Sequence, residues 1–195
     1  MSRVELDTST PIWDRFFVVA PLVLIGTRDA DGSLDLAPKH MAMPMGWQNY
    51  FGFVCSPSHG TCSNIERNGE FTVSYPRPSQ ILYSSLAALP RTDDHKPVLD
   101  VYETFPASVV DGEFIDDAYL FLECRHHETF GGFGDNCLIT GTIVAAYAEA
   151  GFLSSNDRDS AELIRENPLL TYVSPGRFAE ISDTHAFPFP ANMKK

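Results

Sequence analysis

Hydrophobic positions in this chain come as short runs and alternations rather than at helical spacing. Pro21 to Thr27 is a β-prone apolar run, and Phe16 to Ala20 opens a short strand before it. Arg28-Asp29-Ala30-Asp31-Gly32 follows. An Asp-Gly step between two apolar runs predicts a hairpin, because glycine accepts the positive φ such turns require. The returning strand, Ser33 to Leu36, alternates until Pro38, which lacks a backbone donor and is expected to end regular pairing. Lys39 to Gly46 is bracketed by prolines, rich in methionine and predicted irregular. Tyr50 to Cys55 forms the next strand, and Glu70 to Tyr75 alternates cleanly, with Phe71, Val73 and Tyr75 on one face.

Between those strands, Cys62 to Arg67 reads as a helix stopped by Asn68-Gly69, with glycine in the left-handed position. About two turns cannot persist alone in water, so the surrounding sheet must hold this helix. Arg77 to Val110 is the least regular part, with a helix expected over Gln80 to Leu89 and then Pro90, Pro97 and Pro106 as breakers. It reads as a surface excursion of the kind that covers a site and sets selectivity. Ala118 to Thr129 and Asn136 to Ala148 form a long hairpin of the kind that closes a barrel. Asp159 to Asn167 is predicted helical up to Pro168, and Thr171 to Val173 and Phe178 to Ile181 flank a Ser-Pro-Gly-Arg turn. Residues 1–15 read as an N-terminal arm and 182–195 as an extended tail whose aromatics a monomer would leave exposed. With no repeat and no linker, 1–195 is expected to form one β-rich domain.

Composition narrows the function classes. With 14 Lys plus Arg against 26 Asp plus Glu, the net charge of −12 argues against nucleic acid or an anionic membrane surface as a partner. An anionic ligand must then be gripped by a few local donors. Cys55, Cys62, Cys124 and Cys137 show no CxxC spacing and follow no secretory leader, so free thiols in a reducing cytoplasm are expected. No apolar run is long enough to cross a bilayer.

Candidate chemistry concentrates in two segments. In the first, Ser56, Ser58, Thr61 and Asn64 lie where a strand passes into a helix, so hydroxyls and free helix N-terminal amides can together hold a phosphate-like anion. The plainer reading makes Ser58 or Thr61 a helix cap, and from this segment alone it is the favoured one, since every helix needs a cap. In the second, Lys39 and His40 follow a proline beside three methionines, and could meet a phosphate or a flat ring; solvated side chains and core methionines are the alternative. His126 and His127 are adjacent on a strand and point to opposite faces, and neither Cys124 with His126 nor His59 with Cys62 completes a zinc-like set, so no metal is expected. There is no GxSxG nucleophile turn, and the glycine-rich GGFGDN joins two strands rather than opening a helix.

Taken in order, PLVLIGTRDADGSLDLAP, HGTCSNIERNGEFTVSYP, LFLECR, LITGTIVAAY and the closing YVSPGRFAEI resemble the flavin reductase-like family of FMN-binding split β-barrels. The resemblance implies a mainly β fold, a six-stranded Greek-key split barrel with a few short helices, forming a homodimer with FMN near its interface. It places Ala37, Pro38, Lys39, His40, Met41 and Ala42 against the isoalloxazine ring. It places Cys55, Ser56, Ser58, His59, Thr61 and Asn64 at the phosphate. Relatives often carry Arg at the position of His59, Asn at that of Asp35, and small polar residues at those of Lys39 and His40. Asn136 lies near where some relatives carry a His linked to nicotinamide use. The expected activity is hydride transfer from NAD(P)H to the flavin, with no side chain required as acid or base. The alternatives are a flavoprotein that keeps FMN and takes electrons from a protein partner, and a flavin-free scaffold.

Overall fold

A computed structural model of the chain describes residues 2–92, 95–154 and 158–190. Two residues of the expected excursion and the last five of the tail therefore lie outside the described residues. The chain runs β1 (Val18–Pro21), β2 (Val23–Arg28), β3 (Leu34–Lys39), β4 (Ala42–Pro44), β5 (Tyr50–Cys55), α1 (Gly60–Asn68) and β6 (Glu70–Tyr75). It continues through α2 (Ile81–Leu86), β7 (Thr104–Pro106), β8 (Glu113–Ile115), β9 (Leu120–Phe133) and β10 (Asn136–Ala148). The last elements are α3 (Ser160–Glu166), β11 (Leu169–Ser174) and β12 (Arg177–Ile181).

Seven strands form one antiparallel sheet in the order β3-β2-β6-β9-β10-β5-β4. Its two edge strands are consecutive in the chain, with only His40 and Met41 between them. Three Cα steps, from Lys39 to Ala42, span at most about 11 Å. A flat sheet would hold its edges nearly 30 Å apart at roughly 4.8 Å per strand. The sheet must therefore curl until its edges meet, and the carbonyl of Met41, accepting from the Val54 amide at 2.8 Å, extends the β4–β5 ladder into the connection. The expected barrel has six strands; the seventh is β4, hidden in the sequence because prolines bracket it. Pro38 does not end pairing either. It sits opposite Leu24 within β3, where an edge strand has no outer neighbour to miss its donor.

The apolar run in β2 is continuous because both faces of that strand are covered. Val23 and Ile25 face the barrel core with Phe51, Phe53, Phe71 and Ile139. Leu24 faces the other way, into a second cluster with Leu36, Val98, Tyr102, Phe114 and Phe121. The expected surface excursion supplies Ala87, Val98 and Tyr102 to that cluster, so it is anchored rather than loose. Burying each such side chain contributes about 1.5–3 kcal/mol. Within the same segment, the buried Gln80 side chain donates to Asp116 O at 2.9 Å and accepts from the Arg77 amide at 2.9 Å.

The long hairpin forms as expected, with three register shifts that bend β9 and β10 around the barrel. Helix α1 ends at Gly69, whose φ of 74° is the left-handed stop predicted for it. A separate sheet, β1-β11-β12, flanks the barrel. Residues 182–190 carry no regular structure, and the rings of Phe187 and Phe189 lie 4.7 Å apart, tilted at 55°, both exposed. No helix among the described residues is long and apolar enough to cross a membrane.

Candidate functional site

The end of β3, the seam residues and the β5-to-α1 turn converge on two adjoining cavities. The larger, about 430 Å³, has Asp35, Ala37, Pro38 and Lys39 on one wall and Ser58 to Thr61 on another. Its third wall comes from the excursion, residues 87–91 and Lys96. The smaller, about 210 Å³, lies between Pro38 to Met41, Val54 to Ser56 and Asn136. Pro38, Lys39 and His59 belong to both, so one extended ligand could occupy the pair.

The start of α1 is not capped by a side chain. His59 is the N-cap residue, in extended conformation with φ −84° and ψ 142°, and makes no capping hydrogen bond. Ser56 Oγ and Ser58 Oγ instead bond each other at 2.9 Å. The favoured expectation that Ser58 or Thr61 caps the helix is thus overturned: the serines are engaged with one another and Thr61 sits inside the helix, two residues past the N-cap position. Among the described residues, the amides of Gly60 and Thr61 have no hydrogen-bond partner. Free first-turn N–H groups facing a cavity form an anion-binding end.

Not every expected site residue reaches the cavities. Ala42 is 4% exposed and packs in the barrel core. Asn64, also expected at a phosphate, is 2% exposed and fully engaged elsewhere. Its Nδ2 donates to Thr27 Oγ1 at 3.1 Å and Asp29 Oδ1 at 2.7 Å, while its Oδ1 accepts from Arg67 at 2.6 Å. Three residues beyond Thr61, it falls on the helix face turned to the barrel. Met41 is half exposed at the rim of the smaller cavity.

Arg91 and Lys96 were not singled out by the sequence reading, yet both line the larger cavity. Arg91 Nε bonds Asp29 Oδ2 at 2.9 Å, and Lys96 Nζ lies 3.0 Å from Asp35 Oδ1. These pairings span the hairpin and the excursion, so only the fold brings them together. No local pattern could have marked them. Lys39, in contrast, pairs with no carboxylate among the described residues.

Burial, aided by the charge of Lys39, pushes the His40 pKa below its ordinary value, so the ring stays neutral at pH 7. His40 packs on Tyr172 of β11 with ring centroids 4.4 Å apart. Burial likewise pushes the Cys55 thiol up and Cys62 to about 12, which keeps both protonated. Cys62 and Cys137 lie with sulfurs 3.8 Å apart, and all four cysteines are free. Among the described residues, no group of three or more His, Cys, Asp or Glu is arranged to hold a metal ion. What the site offers is an anion grip at one end and a narrower cleft, walled by proline, methionine and a neutral histidine, at the other.

Comparison with known proteins bears on the family and the fold. A family model described as flavin reductase like domain matches residues 15–174. Nitrilotriacetate monooxygenase component B from Bacillus cereus is similar in structure, with a TM-score of 0.80, 14% identity and coverage of 96% of this chain and 100% of that one. A flavoredoxin from Methanosarcina acetivorans gives a TM-score of 0.78 at 21% identity, covering 98% and 97% of the two chains. An FMN-binding protein from Thermus thermophilus, solved with bound 1-cyclohex-2-enone, gives 0.76 at 18% identity, covering 95% and 99%. At these identities the likeness establishes the shared fold.

Proposed function

Because the chain belongs to the flavin reductase like domain family, we propose that it is an FMN-dependent oxidoreductase that takes reducing equivalents from NAD(P)H. The observation that carries this reading is the pair of cavities joined at Pro38, Lys39 and His59. One end meets the needs of a phosphate, and the other those of a flat ring. Two amides without a hydrogen-bond partner and a lysine without a carboxylate partner, both among the described residues, together with an adjacent histidine fit a phosphomonoester in a protein whose net charge of −12 would otherwise repel it.

In this reading Gly60 and Thr61 hold the phosphate through backbone N–H groups, with the Lys39 ammonium and the His59 ring on the wall common to both cavities. Pro38, His40 and Met41 border the ring, with the neutral His40 kept in place by Tyr172. Asn136 borders the same cleft and can donate a hydrogen bond to the ring edge or to an incoming substrate. FMN, when bound, supplies the hydride-accepting chemistry. No carboxylate among these residues is poised as a general base, in keeping with chemistry carried by the cofactor. The exposed Phe17, Val19, Trp47 and Phe178 support a homodimer that covers them.

Absorption spectroscopy of the purified protein under anaerobic conditions tests the proposal. The visible absorption band of oxidised flavin is expected, with bleaching on addition of NADH or NADPH. Protein that stays oxidised with both nucleotides overturns the NAD(P)H assignment and leaves an electron-transfer flavoprotein. Colourless protein that takes up no added FMN overturns the flavin assignment itself.

A further inference from the structure

Lysine is almost never fully buried unless paired, and a buried ion pair adds little stability over apolar residues of the same size. Lys96 is nevertheless 5% exposed and Asp35 9% exposed, with Nζ and Oδ1 3.0 Å apart. Lys96 Nζ also donates to Leu89 O at 2.9 Å. An ammonium has three donors, so among the described residues one remains unused, and Asp35 Oδ2 has no partner either. Both groups line the larger cavity, across from the amides of Gly60 and Thr61. A ligand entering there meets the cation and the anion of this pair side by side, next to the Arg91–Asp29 pair and Lys39 on the same lining.

We propose that Asp35 and Lys96 set the affinity for the phosphate of a phosphorylated flavin by acting on it in opposite directions. Lys96 attracts the dianion. Asp35 holds Lys96 in the wall, takes part of its charge, and repels the same phosphate. The inference rests on the flavin reading of the site and adds the residues that separate FMN from riboflavin, its phosphate-free counterpart. It also gives the excursion a direct part in binding, since Lys96 is its contribution to the wall.

The test is titration of wild-type protein, Asp35→Asn and Lys96→Met with FMN and with riboflavin, followed by quenching of flavin fluorescence. Asp35→Asn is expected to tighten FMN and Lys96→Met to weaken it, each roughly tenfold, the scale of one well-placed charge interaction. Riboflavin affinity should move less than about twofold in either variant. A pair that served packing alone would give losses of the same sign for both flavins. Because Lys96→Met strands a buried carboxylate, the double variant Asp35→Asn/Lys96→Met restores neutrality. With the two opposite, roughly tenfold effects cancelling, it should bind FMN within a few-fold of wild type and riboflavin equally well. Same-sign changes in the single variants, or a double variant as weak for FMN as Lys96→Met alone, overturn the assignment while leaving the flavin reading intact. Wild-type protein that binds neither flavin overturns both.

Discussion

Lys39 is the residue on which the two halves of the site meet. It lies on the wall common to both cavities and has no carboxylate to neutralise it among the described residues. A fixed cation beside a flavin stabilises the anionic reduced ring. Lys39→Ala is therefore expected to lower the midpoint potential of the bound flavin in a potentiometric titration, and an unchanged potential removes Lys39 from this role. The sequence marked Lys39 because its neighbours, Pro38 and the methionines, are local. It marked the Ser56 to Thr61 segment for the same reason. Arg91 and Lys96 escaped notice because their partners, Asp29 and Asp35, lie some 60 positions away, across a hairpin and an excursion with no periodic pattern. Asn64 shows the opposite failure. A polar residue on a short helix looks the same in sequence whether it meets a ligand or, as here, ties Thr27, Asp29 and Arg67 together.

Elements in this protein are held by polar clasps as much as by pairing. Glu123, within β9 and fully buried, accepts from Ser108 N and Oγ at 3.0 and 2.8 Å, and from Val109 N and Val110 N at 2.6 and 2.9 Å. Those bonds fasten the far end of the excursion to the barrel. Burial works to raise the carboxyl's pKa, but the hydrogen bonds from residues 108–110 outweigh it and hold the value below the ordinary one. A depressed folded-state pKa contributes stability that is fully present above the unfolded value. That stability is lost as pH falls through the lower, folded one. Glu123→Gln is expected to cost about 2 kcal/mol at pH 7, since an amide cannot accept at both ends. The gap in Tm between wild type and variant should close as the pH drops below 4.5, the ordinary glutamate value. A gap that persists into acid would mean that the charge is not what the clasp uses. Most elements were legible before the fold was known, because alternation and Asp-Gly or Asn-Gly turns are local signals. β4 was not. Three residues that end on a proline have no pattern to show, and only the edge of β5 makes them a strand.

For the whole molecule, the proposed homodimer has a clear test in the tail. Residues 182–190 extend from β12 with Phe187 and Phe189 exposed, an arrangement with little reason to persist in isolation. Truncation after Asp183 is expected to weaken self-association at least about tenfold by analytical ultracentrifugation, the loss matching one or two buried aromatic anchors. Equal association of the two forms would mean that the tail does not hold the partner.

The sheet's closure has a mechanical consequence. Its two edges are joined by the peptide chain through His40 and Met41 rather than by a full ladder of hydrogen bonds. Such a cylinder behaves as a cut ring with a short strap across the gap. Strain applied anywhere on the wall concentrates at that strap, whose few backbone torsions can turn without unzipping a strand pair. The gap can thus widen or narrow by a small amount while the other strand pairs keep their register. Within the barrel wall the strap, which borders the proposed ring-binding cleft, is the place where yielding breaks fewest strand-pair bonds, and a bulky planar guest is admitted there at least cost.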